Sequence, residues 1–282
     1  MQTIASNVDN NGLAKQHGTQ VASIIFGQNG SSVQGIAPNC RGLIIPIFSD
    51  GTDGKLASCS QIDLARAITQ AIEHGANIIN ISGGQLARSP QPDPLLAKAI
   101  QTCAENNILI VAAAGNDGCE CLHIPAAVPS VLAVGAMDKQ GNPIGFSNWG
   151  EAYQEQGILA LGEDILGAVP GDETARMSGT SFATPIVSGL IALLLSLQRI
   201  RSQKPDPQSI RTAILKTALP CNQHKIDDCR RYLVGTLNIP KVYKFLFSQG
   251  ESQVSNHYSE QSELVVSNTT EFSNEATKKS TK

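Results

Sequence analysis

One stretch constrains the fold of this chain more than any other: Met177-Ser178-Gly179-Thr180-Ser181-Phe182-Ala183-Thr184-Pro185. An apolar run of helix-forming residues, Ile186 to Leu197, follows directly. This order predicts a polar loop that opens a buried helix, with Ser181 at the helix N-terminus. Pro185 fits the first helical turn, where a missing backbone N–H costs little. Ser181 is then either a nucleophile, whose oxyanion would face unpaired N–H groups, or a simple N-cap.

Length and charge exclude several classes of protein. A chain of 282 residues can form one large α/β domain or two smaller ones. The net charge is −3 and no basic stripe is present, which argues against a nucleic-acid partner. The apolar run of about twelve residues is too short to cross a bilayer. Residues 1–7 lack a basic and an apolar segment, so we expect no secretory signal, no membrane partner and a cytoplasmic protein.

The cysteines leave two alternatives open. Cys119, Cys121 and His123 invite a zinc interpretation, but their spacing does not match paired zinc ligands. Ordinary thiols are favoured there, and we expect neither a metal nor a cofactor. Cys221 and Cys229 flank a polar turn and could pair if oxidised.

Helical and strand patterns alternate along most of the chain. The sequence predicts strands at 42–47, 77–82, 108–114 and 131–134, and helices at 17–26, 60–75, 94–106, from 181 and at 205–218, with a short element at 238–247. This alternation predicts a parallel sheet flanked by helices, with ligands bound at the carboxyl ends of the strands. Gly83-Gly84 and Gly115-Asn116 lie at such ends, although tight turns would also explain these glycines.

Three separate segments carry the groups needed for acyl transfer. Ser181 would need a base to accept its proton, and His17 is the side-chain type best suited near neutral pH. Asn116 could donate its side-chain N–H to a developing oxyanion. Each also has a plainer interpretation, His17 as a residue at the start of a helix and Asn116 as a turn residue.

The motifs that carry these residues resemble those of the subtilisin-like serine proteases. They are His-Gly-Thr-Gln-Val-Ala from His17, Ala-Ala-Gly-Asn ending at Asn116, and Gly-Thr-Ser-Phe-Ala-Thr-Pro around Ser181, in that order. The resemblance covers roughly residues 13–245 and implies a subtilisin-like three-layer sandwich. It implies that His17 is the general base, Ser181 the nucleophile and Asn116 the oxyanion-hole donor. It also implies that Ser82, Gly83 and Gly84 pair with an extended substrate backbone, with Gly115 near the specificity pocket.

A narrower resemblance is to the protease domains of cyanobactin (patellamide-type) maturation enzymes. It is carried by the segments at 35–42, 112–123 and 146–150. Members of that group cut a ribosomal precursor peptide, so the resemblance implies a peptide or precursor-peptide substrate. One branch of the group closes macrocycles and carries an insertion before the catalytic His that this chain largely lacks. The sequence does not indicate an oligomeric state.

The chain departs from the family pattern before His17. The family places its catalytic Asp after an N-terminal strand, yet only sixteen residues precede His17 here. Asp9 is the sole upstream acid, and its position favours a loop residue over the triad acid. We therefore expect a peptidase domain at 1–249 whose first strand is missing, and a disordered polar tail at 250–282. The alternative to an active endopeptidase is an inactive fragment or a peptide-binding pseudoprotease.

Overall fold

The computed structural model describes residues 2–3, 12–51, 56–57, 59–222 and 228–248. The described strands are β1 (Gln2–Thr3), β2 (Leu43–Ile44), β3 (Ser49–Asp50), β4 (Leu56–Ala57), β5 (Ile78–Ile81), β6 (Gln85–Ala87), β7 (Leu109–Ala113), β8 (Leu122–Ile124), β9 (Leu132–Met137), β10 (Gly157–Leu161), β11 (Ile165–Val169) and β12 (Glu173–Met177). The described helices are α1 (Leu13–Phe26), α2 (Gln61–Glu73), α3 (Pro94–Glu105), α4 (Tyr153–Gln156), α5 (Thr180–Ile200), α6 (Pro207–Thr217) and α7 (Ile239–Phe247).

The helix boundaries follow local capping chemistry. At α2 the hydroxyl of Ser60, the N-cap residue, accepts a hydrogen bond from the backbone N–H of Asp63 at 3.1 Å. At α6 the carboxylate of Asp206 accepts hydrogen bonds from the first backbone N–H groups of the helix. Helix α3 begins at Pro94, whose missing N–H would have had no partner inside the helix.

A four-stranded parallel sheet forms the centre of the fold, in the order β10-β9-β7-β5. Strand β7 is buried along its whole length, with each residue at most 2% exposed. Ile110 and Ala112 face a cluster that includes residues of α2 and α3, while α5 packs against all four strands of the sheet. Helices thus cover both faces, and the predicted α/β layering is confirmed.

Several boundaries differ from the prediction. The run at 42–47 contains only a two-residue strand, and β10 completes the sheet from residues outside the four predicted strands. We expected no first strand, yet Gln2–Thr3 pairs in parallel with Leu43–Ile44. Residues 249–282, which include the expected tail, lie outside the described part of the chain. The chain forms two compact units, and the second begins after Asn238. In α7, which belongs to the second unit, the ring centroids of Tyr243 and Phe247 lie 5.1 Å apart.

Helix α5 is longer than its apolar run suggested. It spans 21 residues, and its length and composition alone would allow it to cross a membrane. However, 67% of its most apolar 18-residue stretch is buried inside the fold. This burial is typical of a core helix. The helix also begins five residues before Pro185, which therefore lies beyond the first turn where we expected it. The N-cap position is taken by Gly179, so Ser181 is not the cap.

Candidate active site

The fold brings the helices that carry His17 and Ser181 together. His17 lies on α1, and Ser181 is the second residue of α5. The two helices pack against each other, and the His17 ring lies 5.5 Å from the ring of Phe182, measured between centroids. Because Phe182 directly follows Ser181, the imidazole is placed beside the first turn that holds the hydroxyl.

The hydroxyl of Ser181 reaches a third element of the site. Its Oγ donates a hydrogen bond to the backbone carbonyl of Ser82 at 3.0 Å. Ser82 directly follows β5 and is 8% exposed. The predicted substrate segment, Ser82 to Gly84, therefore lies immediately beside Ser181.

The side-chain amide of Asn116 is oriented by the residue before Ser181. Its Oδ1 accepts hydrogen bonds from the backbone N–H of Thr180 at 2.9 Å and from the Thr180 hydroxyl at 3.0 Å. A backbone N–H can only donate, so the amide oxygen must face Thr180. The Nδ2 of Asn116 is then left to donate elsewhere, on a residue that is exposed to solvent. This is the group that an oxyanion formed at Ser181 would require.

Gly115 is a position that only glycine can fill. Its φ is +106°, outside the conformations that L side chains readily adopt. A methyl group added here would collide with Nδ2 of Asn148 and lie 2.8 Å from Cδ2 and Cε1 of His123. The absence of a side chain thus lets the strand end approach these two residues closely.

A buried polar network supports the chain around Gly115. Asn148, which is 1% exposed, donates to the carbonyl of Ala114 at 3.1 Å and accepts from the backbone N–H of Asp117 at 2.8 Å. Tyr153 is fully buried and donates its hydroxyl to the same Ala114 carbonyl at 3.2 Å. Burial raises the pKa of Tyr153 to about 12, so this hydroxyl keeps its proton. The loop that presents Asn116 is therefore held in place by buried hydrogen bonds on both sides of that residue, at Ala114 and at Asp117.

Electrostatics at the site favour a neutral histidine. Burial lowers the pKa of His17 below its ordinary value, because a charged imidazolium would lose solvent there. In the parts of the chain that the structure describes, no hydrogen bond joins His17 to a carboxylate. Asp9, the candidate triad acid, lies outside the described residues. A hydrogen bond from Asn148, and then one from His123, hold the pKa of Asp117 below its usual range.

Two of the cysteines expected to be ordinary thiols form a disulfide instead. Cys119 and Cys121, expected to be ordinary thiols, are joined by a disulfide, which leaves neither thiolate free to bind zinc. Cys221 and Cys229 also pair, as their spacing allowed. Among the described residues, no group of three or more His, Cys, Asp and Glu side chains could hold a metal ion.

Comparison with known proteins identifies the family. The sequence pattern of the subtilase family, peptidase S8, matches residues 4–269. The chain belongs to the subtilase family. A thermophilic serine proteinase of Bacillus sp. (strain AK1) is 36% identical over 204 residues, which are 72% of this subtilase and 46% of that relative. The major intracellular serine protease of Bacillus subtilis (strain 168) is 32% identical over 72% of the chain and 63% of its own length. This subtilase thus spans less than two thirds of these curated relatives.

Solved structures give a narrower likeness. The prenylagaramide maturation protease PagA is 56% identical to this subtilase with a TM-score of 0.80, over 88% of this chain and 92% of that one. The patellamide maturation protease PatA is 51% identical with a TM-score of 0.77, over 87% and 95%. The PatG macrocyclase in complex with a peptide is 43% identical with a TM-score of 0.76, over 82% and 68%. The resemblance to cyanobactin maturation proteases is therefore confirmed.

The structure of this subtilase also adds residues that the sequence did not assign to the site. Thr180 orients Asn116, and Asn148 holds the loop that carries Asn116 through its bond to Ala114. Both lie inside motifs that carry the resemblance, yet nothing in their spacing showed which partner each would bind. His123 was considered only as a zinc ligand, and the structure places it against Gly115 instead.

Proposed function

We propose that this subtilase is a serine endopeptidase that cuts a precursor peptide in cyanobactin maturation. The observation that carries the proposal is the fixed amide of Asn116, whose oxygen is held by Thr180 one residue before the nucleophile. Its Nδ2 can donate to an oxyanion without reorganising, which is the condition for efficient electrostatic catalysis. The similarity to PagA and PatA supports a precursor peptide as the substrate class.

The reaction follows from these positions. Oγ of Ser181 leaves the Ser82 carbonyl, attacks the peptide carbonyl and passes its proton to His17. The oxyanion accepts a hydrogen bond from Nδ2 of Asn116, and the tetrahedral intermediate then expels the amine, which takes the proton from His17. Water attacks the resulting acyl-enzyme and releases the second product. Hydrolysis is favoured over macrocyclisation because the chain shares more sequence with the maturation proteases PagA and PatA than with the PatG macrocyclase.

The second candidate is a peptide-binding protein without activity. It is favoured by the absence of a carboxylate bonded to His17 within the described residues, since the triad acid holds and stabilises the imidazolium. Such a protein would keep the site between the segment at Ser82–Gly84 and Gly115 but turn over no peptide.

The direct test is incubation of the purified chain with a cyanobactin precursor peptide, followed by mass spectrometry of the products. We expect two fragments from one internal bond, and none with Ser181→Ala. Peptide binding by both proteins without any cleavage would overturn the endopeptidase proposal and support the binding protein. Asp9→Ala added to the series shows whether that carboxylate contributes.

A further inference from the structure

His123 occupies the gap between the two segments that flank the nucleophile. It lies on β8, opposite Leu86 of β6 in an antiparallel pair, and its side chain is 15% exposed. A methyl group on Gly84 would lie 3.3 Å from Cβ and 3.4 Å from Nδ1 of this histidine. A methyl group on Gly115 would lie 2.8 Å from Cδ2 and Cε1 of the same ring. The side chain of His123 therefore lies against both glycines.

The ring is held in that gap by Asp117, an exposed carboxylate that is bonded in turn to the buried residue Asn148. Its Nε2 lies 2.7 Å from Oδ2 of Asp117, and that oxygen also accepts a hydrogen bond from Asn148 at 2.9 Å. The backbone N–H of His123 donates to the hydroxyl of Tyr153 at 2.8 Å. Asn148 and Tyr153 are both essentially inaccessible to solvent. Moving the imidazole aside would break its bond to Asp117 and disturb a packed network.

The position of a bound peptide follows from the nucleophile. The attacked carbonyl must lie close to both Ser181 Oγ and Asn116 Nδ2. Oγ is 3.0 Å from the Ser82 carbonyl, and Asn116 directly follows Gly115. The residue that contributes this carbonyl must therefore lie between the Ser82–Gly84 segment and Gly115. A side chain of that residue that extends between the two segments would meet the imidazole of His123.

We propose that His123 closes the pocket for the residue on the acyl side of the scissile bond, so that the site accepts only a small side chain there. Glycine, alanine and serine fit above the imidazole, whereas leucine or phenylalanine would have to displace it from Asp117. This inference rests on the proposed function for the location of the bond that is cut. It assigns His123 as a specificity-determining residue, with Asp117 as the residue that positions it.

The test uses binding, so that it does not depend on turnover. Two versions of a cyanobactin precursor peptide are compared, one with alanine and one with phenylalanine directly before the cleaved bond. Each is titrated into the Ser181→Ala protein, and its affinity is measured by isothermal titration calorimetry. We expect the alanine peptide to bind at least about tenfold more tightly, since crowding of a side chain changes discrimination by about 10–200-fold. In Ser181→Ala/His123→Gly the ratio should fall toward one or reverse. His74→Ala, on the exposed histidine that directly follows α2, is the matched control and should leave the ratio unchanged.

Asp117→Asn provides a second variant in case His123→Gly does not fold, as judged by thermal unfolding. It weakens the bond that holds the ring and should reduce the preference for alanine. Equal or tighter binding of the phenylalanine peptide by the parent protein would overturn the inference, as would an unchanged ratio in a folded His123→Gly protein or no binding of either peptide. If the protein with Ser181 intact prefers the alanine peptide but cleaves neither peptide, the endopeptidase proposal is refuted and the role of His123 stands. If it cleaves both peptides equally well, the role of His123 is refuted and the endopeptidase proposal stands.

Discussion

The backbone N–H of Thr180 donates a hydrogen bond to Oδ1 of Asn116 at 2.9 Å, and this contact fixes which end of the amide is free. The two residues are 64 positions apart in the chain, so the contact also joins the end of β7 to the start of α5. Asn116 and Ser181 are therefore placed by one local arrangement.

Replacing Asn116 by Ala should remove the oxyanion donor. We expect kcat to fall by about 10²–10³-fold with KM little changed, the range known for loss of this donor in a subtilisin. Steady-state cleavage of a precursor peptide measures both constants. Asn116→Asp is the matched variant, because its ionised carboxylate can accept from Thr180 but cannot donate. A change confined to KM would show that Asn116 only binds substrate.

Removing the Thr180 hydroxyl should loosen the same amide. In Thr180→Val the backbone bond to Asn116 remains, but the hydroxyl bond to Oδ1 and the bond that Oγ1 accepts from the Gly115 N–H are lost. A net loss of about 1–1.5 kcal/mol corresponds to roughly tenfold in kcat. Thr180→Ser should restore most of it in the same assay. A loss in Thr180→Ser but not in Thr180→Val would mean that the methyl group matters instead.

The lowered pKa of His17 should set the acid limb of the proposed peptidase activity. Because burial disfavours the imidazolium, His17 stays a competent base below pH 6.5, and the acid limb of kcat/KM should lie under that value. The unfolded chain takes up this proton at higher pH than the folded one. The stability contributed by His17 is therefore full above pH 6.5 and declines as pH falls below it. An acid limb above pH 6.5 would contradict the burial argument.

The hydroxyl of Tyr153 should contribute to stability. Tyr153→Phe would leave the His123 N–H and one bond to the Ala114 carbonyl unmade inside the fold. We expect a loss of about 1–3 kcal/mol in the free energy of unfolding, measured by urea titration. A change below about 0.5 kcal/mol would imply that water replaces the hydroxyl.

The two disulfides can be counted directly. Alkylation under denaturing, non-reducing conditions should modify three of the seven cysteines, Cys40, Cys59 and Cys103, and all seven after reduction. In the folded protein Cys59 and Cys103 should react slowly, because burial raises the pKa of both thiols to about 11. Disulfides are rare in the cytosol, so modification of all seven cysteines without reduction would contradict both disulfides and agree with the predicted cytoplasmic location.

The sequence predicted the layers of the fold and named three candidate site residues, His17, Asn116 and Ser181, because hydrophobic periodicity and the three motifs are local signals. It did not predict the partner of each side chain. His123 follows two cysteines and suggested a metal ligand, but its role depends on β6, β8 and Gly115 meeting in space. Ser181 could have been a cap until the start of α5 at Thr180 placed it inside the helix. Such long-range contacts cannot be deduced from spacing alone.

The central claim is that Ser181 is an activated nucleophile, and labelling with a fluorophosphonate probe tests it most directly. The purified chain and Ser181→Ala are treated side by side at pH 8, and the adduct is located by mass spectrometry. We expect one adduct, on Ser181, that is absent from the variant. A folded chain that remains unlabelled would contradict it and leave a peptide-binding protein as the better description.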